Sequence, residues 1–251
     1  MRLDNFLTTQ GYFDSRTKAK QAIERGEIFV NDKVIKKVSF EVDESANIKR
    51  VAETEFVSIG GFKLYKALRD FNFDVTDLIV IDVGSSTGGF TDCLLKNGAK
   101  LVYPVDLRDD LLHDKLKSNH KVFPVIKNAK DLSISDFNNK IDLIVGDLSF
   151  ISLNQVLDVF YNLIEDGKNL ILLIKPQFET GQKMRFKNGI IRDKKIHKEV
   201  CEKIYNHANN IGLAPQKITT APLSNEKNTE FLILLKKGGE PIPLHDFIKN
   251  L

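Results

Sequence analysis

The first sixty residues carry short apolar patterns that predict a small unit of two helices and two strands. Apolar residues recur at helical spacing over residues 2–9, and a second helix is predicted from an N-cap at Ser15 to Arg25. The segments EIFVN and KVIKK then alternate like two short strands around an Asn-Asp turn. Together these elements predict a separate small α+β domain over residues 1–58.

From residue 60 onward, apolar runs of strand length alternate with amphipathic helices. The runs occupy residues 78–84, 100–107, 121–126, 140–150 and 169–178. Helices are predicted at FKLYKALRDF, GFTDCLLKNG, SLNQVLDVFYNLI and from Lys194 to Asn210. Two closing strands, in APQKITTAPL and TEFLILLKK, predict an antiparallel edge pair. Since apolar strands joined by helices are typical of a parallel sheet covered on both faces, residues 59–251 are predicted to form an α/β domain with a Rossmann-like, mostly parallel seven-stranded sheet.

Composition narrows the class of protein. A hydrophobic fraction of 42% can supply a core, and no apolar run is long enough to span a bilayer. The N-terminus lacks the unbroken apolar stretch of a signal peptide. The two cysteines, Cys93 and Cys201, form no CxxC motif, which argues against a disulfide scaffold or a zinc site. We therefore expect a cytoplasmic protein without a membrane segment or a metal centre.

A glycine-rich turn after the first strand of the larger domain predicts a cofactor site. Gly84 permits a tight turn, and Gly88 and Gly89 let a ligand and the next helix approach the backbone. Asp106 ends the second strand, where a carboxylate can accept hydrogen bonds from ribose hydroxyls. A glycine turn without any ligand is the alternative interpretation.

Dinucleotides and S-adenosylmethionine both fit such a turn, and two residues favour the second. Ser86 stands where the dinucleotide motif has its middle glycine, and Asp82 suits a ligand's ammonium group better than a pyrophosphate. The residues predicted to bind S-adenosylmethionine are Asp82, Gly84, Ser86, Thr87, Gly88, Gly89, Phe90, Asp106 and Asp147.

Charged residues lie at the ends of several apolar strands. Asp147 and Lys175 follow such runs, Glu230 begins the last one, and Lys63 lies in the helix that leads into the first strand. Charges are costly in such places unless they are paired. A lysine that is out of water and near other cations has a lowered pKa and can act as a base. The four residues predict either a catalytic group or a structural ion-pair network.

The rest of the pattern favours an oxygen nucleophile. Cys93 and Cys201 lie in predicted helices, so they do not support methylation of a base carbon through a cysteine. The fourth strand ends in DLSF, without the Asn/Asp-Pro-Pro-aromatic run that is typical of amino-group methylation. The 2′-hydroxyl of RNA is the remaining acceptor.

Two basic clusters favour the binding of RNA phosphates. Arg16 to Lys37 contain seven basic and three acidic residues, and Lys183 to Lys198 contain seven basic residues and one acidic residue. A solvated surface is the alternative for each cluster. The residues predicted to bind RNA are Arg16, Lys18, Lys20, Arg25, Lys183, Arg185, Lys187 and Arg192.

These segments resemble a known family of enzymes. RLDNFLTTQGYFDSRTKAKQAIERGEIFVNDKVI is similar to an RNA-binding module first seen in a small-subunit ribosomal protein. IDVGSSTGGFTDCLL, VDL, GDLSFISL, LIKPQFE and NTEFLILL resemble the TlyA branch of the FtsJ-type 2′-O-methyltransferases. The resemblance covers essentially the whole chain.

The resemblance implies S-adenosylmethionine as cofactor and assigns the family's Lys-Asp-Lys-Glu tetrad to Lys63, Asp147, Lys175 and Glu230. In that assignment, Lys175 promotes deprotonation of the 2′-hydroxyl. Asp147 and Lys63 tune Lys175 and hold it in place, and Glu230 positions the ribose. The oxygen then attacks the cofactor's methyl carbon in line. The implied target is a cytidine of ribosomal RNA, in helix 69 of 23S rRNA within the large subunit. We expect a monomer.

The chain departs from the family pattern at Ile59, where the family usually has an arginine before two glycines. It resembles the short form of the family, which is associated with the 23S site only. Three other functions stay open: a non-catalytic RNA-binding ribosome-assembly factor, an NAD-dependent oxidoreductase and a pseudouridine synthase. An intact glycine turn and tetrad argue against the first, and Asp82 with Ser86 argues against the second. The third lacks a glycine-rich nucleotide loop.

Overall fold

The computed structural model describes the chain except for residues 26, 32, 51–55, 109, 181–188, 223–227 and 250. The side chain of Arg25 is also outside the described part. Within the described chain, the helices are α1 (Leu3–Thr9), α2 (Arg16–Arg25), α3 (Gly60–Phe71), α4 (Gly89–Lys96), α5 (Asp114–Lys117), α6 (Leu157–Leu163), α7 (Pro176–Glu179), α8 (Lys194–Asn210) and α9 (Leu244–Phe247). The strands are β1 (Ile28–Val30), β2 (Lys33–Ile35), β3 (Ile48–Arg50), β4 (Ile79–Val83), β5 (Leu101–Asp106), β6 (Val125–Ile126), β7 (Leu143–Gly146), β8 (Asn169–Ile174), β9 (Leu213–Thr220) and β10 (Phe231–Lys237).

The N-terminal unit combines α1 and α2 with a three-stranded antiparallel sheet in the order β2-β1-β3. Its core contains side chains without exposed surface, among them Leu3, Leu7, Ile23 and Ile28. The two helices and the strand pair predicted from the sequence are confirmed. The sequence pattern did not predict β3, because its single apolar residue, Ile48, is followed by two charged residues.

A seven-stranded sheet in the order β6-β5-β4-β7-β8-β10-β9 forms the larger unit. The strands from β6 to β8 are parallel, and β10 runs antiparallel to both β8 and β9. The prediction of a mostly parallel seven-stranded sheet with an antiparallel edge pair is confirmed. Chain order reverses at β4, which has β5 on one side and β7 on the other. This arrangement leaves a crevice beyond the carboxyl end of β4.

Helices cover both faces of this sheet. On one face, Ile144 of β7 belongs to the same apolar cluster as Phe160 of α6. On the other face, Val145 of β7 clusters with Leu64 of α3 and Leu94 of α4. Because successive residues of β7 are buried on opposite faces, the strand shows no alternation of apolar and polar positions.

Some strand boundaries differ from the predicted ones. The run predicted over residues 169–178 ends as a strand at Ile174, because Pro176 begins α7 and has no N–H for a strand ladder. The predicted third strand of the larger domain yields only β6 and an isolated bridge at Val122. Glu230 lies just before β10 and not within it.

An aromatic cluster joins the two units. The rings of Phe29 in β1 and Phe62 in α3 meet edge to face at 5.6 Å, and Phe56 packs against Phe62 at 4.8 Å. The N–H of Val57 donates to a carboxylate oxygen of Asp92 in α4 at 2.8 Å. The small unit therefore contacts α3 through Phe29, and the segment that follows it contacts α3 through Phe56 and α4 through Val57. The predicted domain boundary at residue 58 stays a prediction.

Candidate active site

The carboxyl ends of β4, β5, β7 and β8 surround two adjoining cavities of about 510 and 550 Å³. We call the first the lysine cavity, because Lys63 and Lys175 line it, and the second the Asp106 cavity. Four residues line both cavities: Gly84, Ser86, Asp147 and Ser149. The two cavities therefore form one continuous cleft at the point where the chain order of the sheet reverses.

The turn after β4 requires glycine. Gly84 has a φ of +78°, and a Cβ atom there would lie 2.9 Å from the main-chain oxygen of Asp147. Gly88 has a φ of +89° and is the N-cap residue of α4. Ser86 also has a positive φ, of 49°, and its N–H donates to Oδ2 of Asp106 at 2.9 Å. The turn therefore brings bare backbone against the end of β7.

Gly84→Ala is expected to lower the free energy of unfolding by about 3 kcal/mol, since it combines a left-handed backbone with a clash against main-chain atoms. Gly167 is a matched control, because its φ is +83° but nothing lies within 4 Å of a Cβ atom there. Gly167→Ala is expected to cost about 1 kcal/mol from the backbone alone. Denaturant unfolding of both variants measures the difference, and equal losses would contradict the role of the contact with Asp147.

Asp82 is a buried carboxylate with one free oxygen. Its Oδ2 accepts a hydrogen bond from Oγ1 of Thr91 at 2.6 Å, while Oδ1 is buried without a hydrogen-bond partner among the described residues. Burial raises the pKa of Asp82 to about 7, although the hydrogen bond from Thr91 acts to lower it. A buried acceptor without a partner is costly, so its presence in the wall of the lysine cavity indicates a site for a positively charged donor.

The raised pKa of Asp82 predicts a pH-dependent stability. The folded protein holds this proton up to about pH 7, whereas the unfolded chain releases it near pH 4, so the wild type loses stability as the pH rises between these values. Asp82→Asn removes the charge and is expected to be more stable than the ligand-free wild type at pH 8, by on the order of 3 kcal/mol. Thermal unfolding at pH 4 and pH 8 tests this. A difference that does not grow with pH would contradict it.

Asp106 is fixed in the wall of the second cavity. Its Oδ2 accepts from the N–H of Ser86, and its Oδ1 accepts from the N–H of Leu107 at 2.7 Å. Each oxygen keeps a lone pair for a ligand hydroxyl. Every residue predicted to bind the cofactor lines one of the two cavities, except Gly88, which packs against Leu116.

Lys63, Asp147, Lys175 and Glu230 form a continuous chain of ion pairs at the cleft. Nζ of Lys175 lies 2.5 Å from Oδ1 of Asp147, and Nζ of Lys63 lies 3.1 Å from Oδ2 of the same carboxylate. Nζ of Lys63 also lies 2.8 Å from Oε2 of Glu230. Residues from α3 and from the ends of three strands thus meet, as their placement in the sequence suggested. Their catalytic roles stay predictions.

The charges in this chain stabilise one another. Burial alone would raise the pKa of Asp147, but the ammonium groups of Lys63 and Lys175 hold it below its usual range. Burial alone would lower the pKa of Lys63, but Asp147 and Glu230 outweigh it and raise that pKa. The expectation that a lysine here has a lowered pKa is therefore wrong for Lys63, because its neighbours are carboxylates and not cations.

Three of the four basic residues predicted to bind RNA in the small unit, Arg16, Lys18 and Lys20, are paired with carboxylates. Nη2 of Arg16 lies 2.7 Å from Oδ2 of the buried Asp4. Lys18 and Lys20 pair with acidic residues four positions away, at 2.8 and 3.8 Å. Exposed pairs of this kind are weak, so an RNA phosphate can replace the carboxylates of Lys18 and Lys20.

For half of the residues predicted to bind RNA, the side chain lies outside the described part of the chain. Lys183, Arg185 and Lys187 lie outside the described residues, as does the side chain of Arg25. Arg192 is exposed, two residues before α8. Beside it, Asn228 accepts a hydrogen bond from the N–H of Ile191 at 2.7 Å, which ties this segment to the approach of β10.

Arg16→Ala and Lys20→Ala are expected to differ in their effect on folding. Burial raises the pKa of Asp4, but hydrogen bonds from Arg2 and Arg16 lower it to about 2, so loss of Arg16 weakens a buried carboxylate's pairing and costs about 1 kcal/mol. Lys20→Ala leaves stability unchanged and flattens the salt dependence of RNA binding by about one unit of slope. Denaturant unfolding and RNA titrations at several salt concentrations measure both, and an unchanged slope would remove Lys20 from the RNA surface.

The sequence interpretation missed several residues of the cleft. Phe150 lines the Asp106 cavity with 90% of its surface exposed, a φ of +65° and its ring 5.0 Å from that of Phe178. Lys127 and Lys130, which follow the short β6, line the same cavity. Their position after a parallel strand was a usable signal, because the carboxyl ends of all such strands face the site.

Within the described ranges, no helix is both long enough and apolar enough to span a membrane. No group of three or more histidine, cysteine or acidic residues in that same part of the chain is arranged to hold a metal ion.

Two known families match successive parts of the chain. Residues 1–48 match the S4 domain, and residues 56–237 match the FtsJ-like methyltransferase family. The second match alone covers more than half of the 251 residues.

Individual relatives match along most of their length. Hemolysin A of Brachyspira hyodysenteriae is 36% identical over 92% of this chain and 98% of its own. The 23S rRNA (cytidine-2′-O)-methyltransferase TlyA of Campylobacter jejuni is 33% identical over 78% of this chain and 83% of its own. A solved structure of a candidate hemolysin from Streptococcus thermophilus, 35% identical, superposes with a TM-score of 0.74 over 99% of this chain and 94% of its own.

Proposed function

The chain belongs to the FtsJ-like methyltransferase family and begins with an S4 domain, and from this premise we propose that it methylates a ribose 2′-hydroxyl of ribosomal RNA with S-adenosylmethionine. One observation carries the proposal. Lys63, Asp147 and Lys175 of the ion chain line the same cavity as Asp82, whose Oδ1 is buried without a hydrogen-bond partner among the described residues, and Glu230 joins the chain through Lys63. Groups suited to activate a hydroxyl therefore adjoin a group suited to hold a cationic ligand.

The cleft fits S-adenosylmethionine in both charge and shape. Oδ1 of Asp82, which has no hydrogen-bond partner within the described part of the chain, would accept from the ammonium group of the methionine part, and Asp106 would offer carboxylate oxygens to the ribose. Gly84 lines both cavities with bare backbone, and a Cβ atom there would meet the main chain of Asp147. When bound, the cofactor supplies a methyl group on a positively charged sulfur.

The residues of the ion chain prepare the acceptor oxygen. Lys175, of which 8% is exposed, lines the cavity, and once its ammonium group has released a proton to solvent, the amine nitrogen accepts the proton of the 2′-hydroxyl. Asp147 bridges Lys175 and Lys63 and so fixes the position of that nitrogen. Glu230 holds Lys63 and positions the ribose. No side chain forms a covalent bond, so these residues act by orientation and electrostatics.

We infer that the target is a cytidine of 23S rRNA, in helix 69, within the large ribosomal subunit. The name of the Campylobacter relative supports cytidine and 23S rRNA, and the S4 domain supplies an RNA-binding module. The exposed ring of Phe150 at the mouth of the cleft is suited to stack against a base. The proposal places a monomeric enzyme in the cytoplasm, with the ribosomal subunits.

The position of the methyl group tests this target. Large and small subunits that lack the modification are incubated with the enzyme and S-adenosylmethionine, and their RNA is then cleaved with alkali, which cannot cut beside a methylated 2′-oxygen. We expect one protected cytidine, in helix 69 of 23S rRNA. Protection in 16S rRNA would overturn the assignment to one site. No protection, from protein shown to bind the cofactor, would favour a non-catalytic ribosome-assembly factor.

A further inference from the structure

We propose that Ser149 is a positioning residue that aims Nζ of Lys175 at the ribose hydroxyl. The inference rests on the proposed function. Ser149 follows Asp147 by two residues in the loop after β7, while Lys175 directly follows β8. Nζ of Lys175 donates a hydrogen bond to Oγ of Ser149 at 2.6 Å. The loop after one strand thus holds the side chain at the end of the neighbouring strand.

The tetrahedral geometry of the lysine nitrogen makes this hydrogen bond fix a direction. Nζ has three positions besides its bond to carbon, arranged as a tetrahedron. One of them donates a hydrogen bond to Oγ of Ser149, and Oδ1 of Asp147 lies 2.5 Å from the nitrogen as its ion-pair partner. These two contacts leave one direction of the nitrogen for the substrate, which carries an N–H bond in the ammonium form and a lone pair in the amine form.

Lys63 provides the contrast within the same ion chain. Its Nζ is held by two carboxylates, of Asp147 and Glu230, which favour a permanently charged ammonium. Lys175 has one carboxylate partner and one neutral hydroxyl. A hydroxyl fixes the direction of the nitrogen without adding a second negative charge. The structure thus separates a lysine held by two carboxylates from a lysine held by one carboxylate and one hydroxyl.

Ser149 also lies where a substrate passes. It is exposed and lines both the lysine cavity and the Asp106 cavity. In the step that it assists, the O–H bond of the ribose hydroxyl breaks, and the proton forms a new N–H bond at the lone pair of Lys175. The electron pair stays on the ribose oxygen, which becomes the nucleophile. Ser149 keeps its own proton throughout.

Kinetic measurements with matched variants test the proposal. At saturating cofactor and large subunit, Ser149→Ala is expected to lower the single-turnover rate by about 10- to 100-fold, because a hydrogen bond to a charged group is lost. Ser149→Thr keeps the hydroxyl and is expected to restore most of the rate. Affinity for S-adenosylmethionine is expected to stay within about twofold in both. A loss confined to cofactor affinity would overturn the proposal.

Coupling to Lys175 separates positioning from a general disturbance of the loop. In a Lys175→Met background, Ser149→Ala is expected to have no further effect on the residual rate, since the two residues act as a unit. Ser152→Ala is the matched control, because this hydroxyl lies on the same loop but donates to Glu179. Its effect is expected to be the same with or without Lys175. Additive losses for Ser149→Ala would contradict the proposal.

A spectroscopic readout needs no turnover. Nuclear magnetic resonance of ¹⁵N-labelled lysine ammonium groups is expected to show a distinct Lys175 signal in the wild type, assigned by its loss in Lys175→Arg. Ser149→Ala is expected to broaden or remove that signal. An unchanged signal would overturn the proposal even if the enzyme is active. If Ser149→Ala changes the Lys175 signal but the wild type transfers no methyl group to rRNA, the contact between Ser149 and Lys175 stands and the proposed function is overturned.

Discussion

Lys175→Met is expected to lower the rate of methyl transfer by about 1,000-fold while affinity for S-adenosylmethionine changes little. General base catalysis by a positioned side chain contributes about 10²- to 10⁴-fold, and methionine keeps the length of the side chain while removing its nitrogen. Lys175 contacts Asp147 and Ser149 and not Asp82, so the free oxygen for the cofactor's ammonium is retained. Single-turnover rates and calorimetric titration with cofactor measure the two effects separately.

Lys168 offers a matched control at the opposite end of the same strands. It precedes β8, and its Nζ lies 2.7 Å from Oδ1 of Asp142, which precedes β7. Lys168→Met therefore breaks a lysine–aspartate pair between the same two strands, β7 and β8, but at the end that lies away from the cleft. We expect the wild-type rate in this variant. Equal losses from Lys168→Met and Lys175→Met would indicate a structural role for both pairs and no catalytic role for Lys175.

Asp82→Asn is expected to weaken the binding of S-adenosylmethionine by about 10- to 100-fold, because a charge-assisted hydrogen bond to the ligand's ammonium group is replaced by a neutral one. The amide keeps the volume of the carboxylate and can still accept the hydrogen bond from Thr91. The ligand-free variant is expected to be more stable than the wild type at pH 8, so lost binding cannot be attributed to unfolding.

Asp142→Asn is the control for this second prediction, because Asp142 is a partly buried carboxylate that pairs with Lys168 far from the cavities. Cofactor affinity is expected to be unchanged there. Calorimetric titration of both variants with S-adenosylmethionine gives the comparison. An Asp82→Asn variant that binds as tightly as the wild type would mean that the buried oxygen does not receive the ammonium group.

The sequence predicted the sheet well because buried parallel strands leave a direct signature. Ile144 and Val145 are covered on opposite faces of β7, and such burial produces an unbroken apolar run. The boundaries were less predictable, since they depend on tertiary contacts. The strand predicted from the sequence extended to Phe178, yet β8 ends at Ile174 and the proline at position 176 begins α7.

The site was predictable to the extent that topology alone fixes it. The parallel strands bring Asp82, Asp106, Asp147 and Lys175 to one rim, so their positions in the sequence indicated a common site. The electrostatics depend on distances that no sequence pattern contains. The pKa of Lys63 rises because two carboxylates lie within about 3 Å, and that arrangement follows only from the docking of α3 beside β10. The hydrogen bond between Ser149 and Lys175 likewise follows only from the folded structure.

The central claim is that this chain methylates a ribose oxygen of ribosomal RNA, and the chemical form of the product tests it most directly. Large ribosomal subunits that lack the modification are incubated with the enzyme and S-adenosylmethionine carrying a labelled methyl group, and the RNA is then digested to nucleosides. We predict that the label appears in 2′-O-methylcytidine with wild type and is absent with Lys175→Met. Label on a base, or transfer that persists without Lys175, would contradict the account.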